Sequence, residues 1–468
     1  MPRSAQPVAR LSQLHESHAT RVEVDGEKVL LVRAGSTVHA FTADCPHAGA
    51  PLEEGALCNG RIVCPWHKAT FDASTGDLIE PPALFPLDRY PVTISGDDVL
   101  VSPDKIPPAA QPAQADSRHV AIVGAGAAGA AACAALREFG FAGRISLVGN
   151  ETAPPYDRTA LSKFVMSGEM KPDDVPPLLP DGFLERADIQ RVVADVTRLD
   201  PRKRVVHLQD GRELEYDAAL LAPGGKPIVP GLPGRHLSRV YLLRSLDDSR
   251  ALMDGLPDHR RAVIIGSSFI GLEAASALRK RHVAVTITSP EKIPFAKQFC
   301  EEIGTMFQRL HEDNGVTFRL GTKVIALEGD EGAVHSVTLD SGAHLPADAV
   351  LIGTGVTPAT DFVEGVTLEK DGAIAVDAGM QAAPGLYAAG DIVSFPLTKN
   401  GPHVRIEHWR VAQQHARIAA RNMVDGFASN PSRAAPRQRS TTACRTFGLT
   451  TTESASNISG IHATGTMS

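Results

Sequence analysis

The 468-residue chain contains no uninterrupted apolar run of 18 residues, so no membrane-spanning helix is expected. Its opening stretch, MPRSAQPVARLSQLHES, has no apolar centre of the secretory kind, and Glu16 follows early enough to argue against a transit peptide. Cysteine is scarce. Cys45, Cys58, Cys64, Cys133, Cys300 and Cys444 are the full set, and no Cys-x-x-Cys occurs. A disulfide framework is thereby excluded, and a reducing, cytoplasmic compartment is expected. An excess of positive charge is also missing. Lys and Arg number 47 against 54 Asp and Glu, a net charge of −7, which removes any reason to expect nucleic acid or a membrane surface as partner. The length suggests about three domains.

What is present begins with two short loops. Cys45-Pro46-His47 is followed, sixteen residues on, by Cys64-Pro65-Trp66-His67. Each loop carries one thiol and one imidazole. This is the ligand set of a Rieske [2Fe–2S] centre, with two thiolates on one iron and two imidazoles on the other. A structural zinc site is the competing reading. Zinc sites usually pair like with like, whereas here Cys pairs with His. Pro46, Gly49, Pro51, Gly60 and Pro65 also suit backbone N–H groups turned toward sulfur. The metal ligands are therefore taken as Cys45, His47, Cys64 and His67, and Cys58 as a free thiol.

Around these loops the apolar pattern alternates through Val22, Val24, Val29 to Val32, Val38 and Phe41, punctuated by Asp25-Gly26 and Gly35-Ser36. Short strands joined by hairpins are expected, making residues 1–103 a small all-β domain with the cluster at two loop tips. Residues 104–117 are rich in Pro and Ala and read as an extended linker that raises the local concentration of the cluster near its donor.

Two dinucleotide fingerprints follow. The first runs from strand His119–Val123 through Gly124, Gly126 and Gly129 into an Ala-rich helix, then strand Ile145–Val148 and the acid Glu151. The glycines permit the turn and the approach of a pyrophosphate, and the acid takes a ribose hydroxyl. The second has Gly266, Gly271 and Glu273, with Ser268 in place of the middle glycine. Ser289 stands where the ribose-binding acid is usual. Glu291 and Lys292 lie close by and leave NADH or NADPH open. Two such folds in series suggest FAD, then NAD(P)H. Leu351–Pro358, with Gly355, reads as the strand returning to the FAD domain. Gly390-Asp391 resembles a second FAD motif that meets the ribityl chain. The expected division is FAD domain 118–238 and 347–400, NAD(P) domain 239–346, and a remnant of a C-terminal interface domain over 401–468.

These residues resemble a known family. His119 to about Asp425 is similar to the ferredoxin-reductase-like flavoproteins, which include oxygenase-coupled NADH:ferredoxin reductases and apoptosis-inducing-factor-like proteins. Further matches are Pro155-Tyr-Asp-Arg158-Thr-Ala-Leu-Ser-Lys163, Ala222-Pro-Gly-Gly225 and Glu407-His-Trp409 through His415. With its N-terminal domain the whole resembles the Rieske-fused, apoptosis-inducing-factor-like branch. The resemblance implies an all-β Rieske domain followed by two doubly wound α/β dinucleotide-binding domains of glutathione-reductase type. The implied cofactors are FAD, a [2Fe–2S] cluster and NAD(P)H. It places Arg158 on FAD, Lys163 at the flavin's reactive edge, Glu273 facing the nicotinamide and Trp409 near both, with Lys163 and Glu273 as the catalytic pair. Pro223 departs from the family's usual Thr. Ala50 and Trp66 occupy the places of the extra cysteines of respiratory Rieske domains, so no loop disulfide is implied. The implied activity is an NAD(P)H-dependent reductase, a monomer or weak homodimer, passing electrons through FAD and the cluster to an unidentified acceptor. Two alternatives stay open: a redox-sensing protein with incidental oxidase activity, and the reductase component of an oxygenase. A disulfide reductase would need a redox cysteine near the flavin, and Cys133 and Cys300 each lack a neighbour in sequence.

The tail departs from the family, which ends in strands carrying a Pro-aromatic-Phe-Trp motif. Residues 427–468 are instead a Ser/Thr/Arg/Ala stretch without hydrophobic period, of disordered composition. Back-translated and read one base earlier, the degenerate code permits YDGVPYFWTNHYGKRI from Ser440 onward, with Cys444-Arg-Thr-Phe-Gly448 becoming VPYFW. A frameshift between about Gly426 and Gln438 is expected.

Overall fold

The computed structural model describes residues 3–107, 116–296, 298–398 and 401–428. The re-read tail and most of the expected linker lie outside the described residues.

The N-terminal domain is antiparallel β throughout. Strand Glu27–Ala34 shows why. Leu30 and Val32 face one core with Phe41, Leu52, Ile62, Phe71, Cys45 and Cys64. Val29 and Leu31 face another with Val24, Val38, Tyr90, Val99 and Val101. Four consecutive apolar residues are thus buried because alternate side chains serve two layers. This strand lies in a sheet ordered Thr20–Val24, Glu27–Ala34, Thr37–Thr42, Arg89–Tyr90. Between Thr42 and Arg89 is inserted a second four-stranded sheet, Ala56–Cys58, Arg61–Val63, Thr70–Asp72, Leu78–Glu80. The insert carries the second ligand loop. The expected linker starts pinned to this domain: the Ile106 N–H donates to the Arg89 carbonyl at 2.7 Å, and Asp104 pairs with Arg3 at 2.7 Å.

By its internal contacts the chain falls into two units. One combines the N-terminal domain with 116–152, 179–223 and the described residues of 360–428; the other comprises 153–178 and the described residues of 224–359. The sheet of the first unit is ordered Ile189–Val193, Arg144–Gly149, His119–Val123, Ala218–Leu221, Leu386–Ala388, Gln381–Ala383. All pairings are parallel except the last. The helix Ala127–Glu138 buries ten of its twelve residues, most of them alanine. Such a small-residue face admits a second helix closely, and Trp409–Ala428 packs on it. Its buried face carries Val411, Ala412, Ala416, Ala419, Ala420 and Met423. This corrects the expectation that everything from 401 onward belongs to a separate C-terminal domain: 401–428 completes the first unit.

The second unit has a parallel sheet ordered Val240–Tyr241, Ala349–Ile352, Arg261–Ile265, Ala284–Ser289, Thr317–Leu320. Ala349–Ile352 therefore belongs to this sheet and is not the strand returning to the first. Its four apolar residues are all buried, as a strand covered on both faces requires. The return begins only at Val356–Pro358, which pairs antiparallel with Gly225–Pro227. The 238/239 boundary also moves earlier, because Leu232 and Leu237 pack on the core around Val263, Val337 and Ile352. Ala153–Leu178 joins this unit too, through Leu161 and Val165 against Leu246.

Candidate functional site

The cluster loops bring the expected ligands together as two like pairs, Cys45 with Cys64 and His47 with His67, and among the described residues no group of three or more His, Cys, Asp or Glu is placed to hold a metal ion. The Cys45 and Cys64 thiols are buried and hydrogen-bond to each other. That bond holds the Cys64 thiol low and drives the Cys45 thiol up. Backbone N–H groups of His47 and Ala48 point at the Cys45 sulfur, and those of Trp66 and His67 at the Cys64 sulfur. The imidazoles of His47 and His67 meet edge to face, ring centroids 4.8 Å apart. His47 is half-buried and His67 exposed, so thiols form the inner wall and imidazoles the outer. Two adjacent thiols lined by N–H donors, with two adjacent imidazoles outside them, fit a two-iron cluster divided between sulfur and nitrogen ligands.

At the first nucleotide turn, Gly124 has φ +112°, and a side chain there would put Cβ 2.0 Å from the Ala222 carbonyl oxygen. A Cβ on Gly129 would lie 1.9 Å from the Gly124 carbonyl oxygen. Gly126 caps the helix without a side-chain bond, which leaves the helix N–H groups open to an anion. Glu151 follows two residues beyond strand Arg144–Gly149. Gly390, φ +81°, opens the turn carrying Asp391. Its N–H donates to His415 Nδ1 at 3.4 Å. His415 is fully buried against Phe395, and burial pushes it down to about 3, so it is neutral at pH 7. Its Nε2 has no protein partner, nor do the amide atoms of buried Gln413 on the same helix. A polar ligand seated beside this helix would satisfy such orphaned groups. Trp409, half-buried, is the first residue of that helix.

In the second unit, Gly266 has φ +116° and a Cβ there would lie 2.2 Å from the Gly353 carbonyl oxygen; a Cβ on Gly271 would lie 2.2 Å from that of Gly266. Ser268 heads the helix Phe269–Lys280 without capping it; its hydroxyl donates to the Gly353 carbonyl at 3.3 Å. The helix N-terminus stays open here as well. Ser289 ends its strand and donates to Glu291 Oε2 at 2.6 Å, fixing that carboxylate at the strand end. Gly355 sits at φ +107° just before the return ribbon.

Lys163 and Glu273 also meet, Nζ to Oε1 3.8 Å, each side chain a little over a quarter exposed. Ser162 was not anticipated: its hydroxyl donates to Glu273 Oε2 at 2.6 Å. Ser162 and Lys163 lie in one π-helical turn, Leu161–Val165, a distortion frequent at functional sites. Arg158 lies in this same second unit, held by the Tyr156 hydroxyl at 3.1 Å and the Arg244 carbonyl at 2.8 Å.

Comparison with known proteins assigns the family. The pyridine nucleotide-disulphide oxidoreductase model matches residues 118–416, and the Rieske [2Fe-2S] domain model matches residues 4–91. The chain belongs to the pyridine nucleotide-disulphide oxidoreductase family. This oxidoreductase is 36% identical over 437 residues to apoptosis-inducing factor 3 of Mus musculus, covering 89% of this chain and 71% of that one. It is 34% identical over 318 residues to the ferredoxin–NAD(+) reductase subunit of the benzene 1,2-dioxygenase system of Pseudomonas putida, covering 67% and 76%. Among solved structures, the covalent putidaredoxin reductase–putidaredoxin complex is similar with a TM-score of 0.63 and 28% identity, over 69% of this chain and 80% of that one. The protein is thus an FAD-dependent NAD(P)H oxidoreductase of ferredoxin-reductase type fused to a Rieske domain, with FAD, NAD(P)H and a [2Fe–2S] cluster as its cofactors. All five described cysteines are free, and burial pushes the Cys133 thiol up to about 12, which makes it inert at neutral pH. No helix among the described residues is long and apolar enough to cross a membrane.

Proposed function

We propose that this oxidoreductase takes electrons from NADH at the second nucleotide fold and delivers them, over the Rieske centre at Cys45, His47, Cys64 and His67, to an external acceptor of the oxygenase type. One observation carries the reading: the cluster loops and the Gly124–Gly129 turn belong to one compact unit, so the proposed flavin seat and the cluster share a single frame. FAD supplies the conversion between a two-electron nicotinamide donor and a one-electron iron–sulfur acceptor.

The residues divide the work. The open helix end behind Gly124, Gly126 and Gly129 takes the FAD pyrophosphate, Glu151 a ribose hydroxyl, and Asp391 beside Gly390 the ribityl chain. Arg158 and Trp409 contact the flavin. Gly266 and Gly271 shape the turn that takes the nicotinamide dinucleotide, and Gly355 gives the backbone its left-handed bend close by. Glu273, oriented by the Ser162 hydroxyl and balanced by Lys163, faces the nicotinamide, while Lys163 fixes the polarity of the flavin edge. Glu291, held by Ser289, does for the second fold what an acid at the strand end usually does: it accepts from a ribose 2′-hydroxyl and repels a 2′-phosphate. That favours NADH, in keeping with relatives named as ferredoxin–NAD(+) reductases. The imidazole wall, with exposed His67 and Trp66, is the face offered to the acceptor. A cytoplasmic monomer or weak homodimer suits such a carrier.

Anaerobic titration with NADH and then NADPH, following the flavin and cluster absorbance together, tests this. NADH should bleach the flavin and reduce the cluster, with NADPH at least tenfold weaker. Flavin bleaching that leaves the cluster oxidised would instead favour a redox-sensing role, and no bleaching by either nucleotide would sink the reading.

A further inference from the structure

We propose that Glu80, Gln414 and Arg417 are positioning residues: with Glu138 they form a polar clamp that seats the cluster-bearing insert permanently on the Trp409–Ala428 helix. The cluster is then reduced from a fixed seat and not by tethered diffusion. This deepens, and rests on, the proposed path of electrons from NADH to the Rieske centre.

The clamp is built from both sides. Glu80 ends the last strand of the insert, and its side chain is only 12% exposed. Gln414 Nε2 donates to Glu80 Oε2 at 2.6 Å, and an Arg410 guanidinium nitrogen lies 4.0 Å from the same oxygen. Arg417, 10% exposed, donates through Nη2 to the Leu78 carbonyl at 3.1 Å and forks onto both carboxylate oxygens of Glu138 at 2.7 and 2.8 Å. Arg410, Gln414 and Arg417 are spaced four and three apart, so one helix face presents all three. A second foot stands apart from them: Phe85, in the loop after Glu80, packs edge-on against Phe183 at 5.2 Å.

This arrangement does what a loose tether cannot. Leu78–Glu80 pairs with Thr70–Asp72, which pairs with Arg61–Val63, and the Cys64–His67 loop joins those two strands. Holding Glu80 therefore holds the ligand loop through three rungs of one small sheet. The same helix, at Ala412 and His415, abuts the Gly390-Asp391 turn. One rigid rod thus touches the expected flavin seat along one face and the cluster insert along another. Burying Glu80 against Gln414, and Arg417 against Glu138, adds little net stability, because desolvation offsets most of the attraction gained. What such contacts give is one register out of many.

Each NADH oxidised to NAD⁺ and a proton releases two electrons, which reach the cluster singly and leave singly to an added one-electron acceptor such as ferricytochrome c. The test compares wild type, Gln414→Ala, Arg417→Ala and the conservative Arg417→Lys, all as holoprotein. Stopped-flow mixing with NADH should show flavin reduction within twofold of wild type in every variant. Cluster reduction should slow at least tenfold in Arg417→Ala, several-fold in Gln414→Ala, and recover part of its rate in Arg417→Lys, whose ammonium keeps a donor for the Leu78 carbonyl. Small-angle scattering of the oxidised proteins should show a larger radius of gyration for Arg417→Ala and partial restoration in Arg417→Lys. Unchanged cluster reduction together with an unchanged radius in both alanine variants would overturn the clamp. If NADH fails to reduce the wild-type cluster, the electron path falls, while scattering still decides whether the clamp holds the insert.

Discussion

The two nucleotide turns meet the same steric demand in different settings. In each, the first glycine bends into left-handed space under a carbonyl from a neighbouring strand end, Ala222 in one and Gly353 in the other. In each, the third glycine lets the helix lie against the first glycine's own carbonyl. They part at the middle position, Gly126 against Ser268. Ser268 turns its hydroxyl back to Gly353 and leaves the helix end open, so a side chain there spoils neither turn nor helix. The first and third glycines build the turn; the second only makes room for what binds. The helices differ as well. Ala127–Glu138 is nearly all buried beneath Trp409–Ala428, whereas Phe269 and Ile270, at the start of the second helix, remain over one-third exposed. A covered turn suits a cofactor that stays, and a more open one suits a nucleotide that comes and goes.

Valine at the first glycine of each turn should separate the two most sharply. Gly124→Val should lose FAD altogether and destabilise the first unit by at least about 3 kcal/mol, since strained backbone and a close contact add. Gly266→Val should purify yellow yet no longer be bleached by NADH. Flavin absorbance and thermal melting read both, and equal loss of FAD in the two variants would break the comparison. Next in size, Glu273→Ala should slow flavin reduction by NADH about 100-fold and leave FAD content intact, with Ser162→Ala costing roughly tenfold through misorientation of the same carboxylate.

Acid should find the first unit before the second. His415 titrates near 3 when folded and near 6.5 when unfolded, so the unfolded chain takes up the proton first as pH falls through that window. Folded-state stability is therefore lost between pH 6.5 and 3, by about 2 kcal/mol at pH 5. His415→Leu should flatten this slope, as read by urea melts at pH 7.5 and pH 5; an unchanged slope would show that another group sets it. Smallest of all, Ser268→Gly should tighten NADH by about two- to fivefold, an effect on the order of 0.5–1 kcal/mol. A larger gain would mean that the serine crowds the dinucleotide more than its hydrogen bond suggests.

How much of this could be read from the sequence depends on sequence distance. The cluster loops and both glycine turns are local constructions: the Cys64–His67 loop joins two paired strands, and each glycine turn joins a strand to a helix, all within about 30 residues. Ser162 serves Glu273 across 111 positions, and Gln414 serves Glu80 across 334. No spacing pattern reports such pairs. Leu351–Pro358 reads as a returning strand, yet Leu351 and Ile352 lie in the second sheet, because an apolar run announces a buried parallel strand but not which sheet it enters. The C-terminal remnant expected over 401–468 takes in the Trp409–Ala428 helix for a similar reason. Its periodicity marks a buried face, yet only packing shows that an alanine-rich helix nearly 300 residues earlier is what covers it.

The order of pairing in the first sheet fixes an order of assembly during synthesis. Ala218–Leu221 lies between His119–Val123 and Leu386–Ala388, and the chain from Gly224 to Ala359 intervenes before that last strand is made. As the chain emerges from the ribosome, every strand of the five-stranded sheet is therefore available while the six-stranded one still lacks two of its members. The cluster domain precedes both. The proposed flavin seat is the last part to close, since it waits for Leu386–Ala388, the Gly390-Asp391 turn and the helix that follows. A nascent chain halted before Leu386 would hold the cluster domain and the second dinucleotide fold but an incomplete first sheet, so FAD uptake would report that synthesis has run past that point.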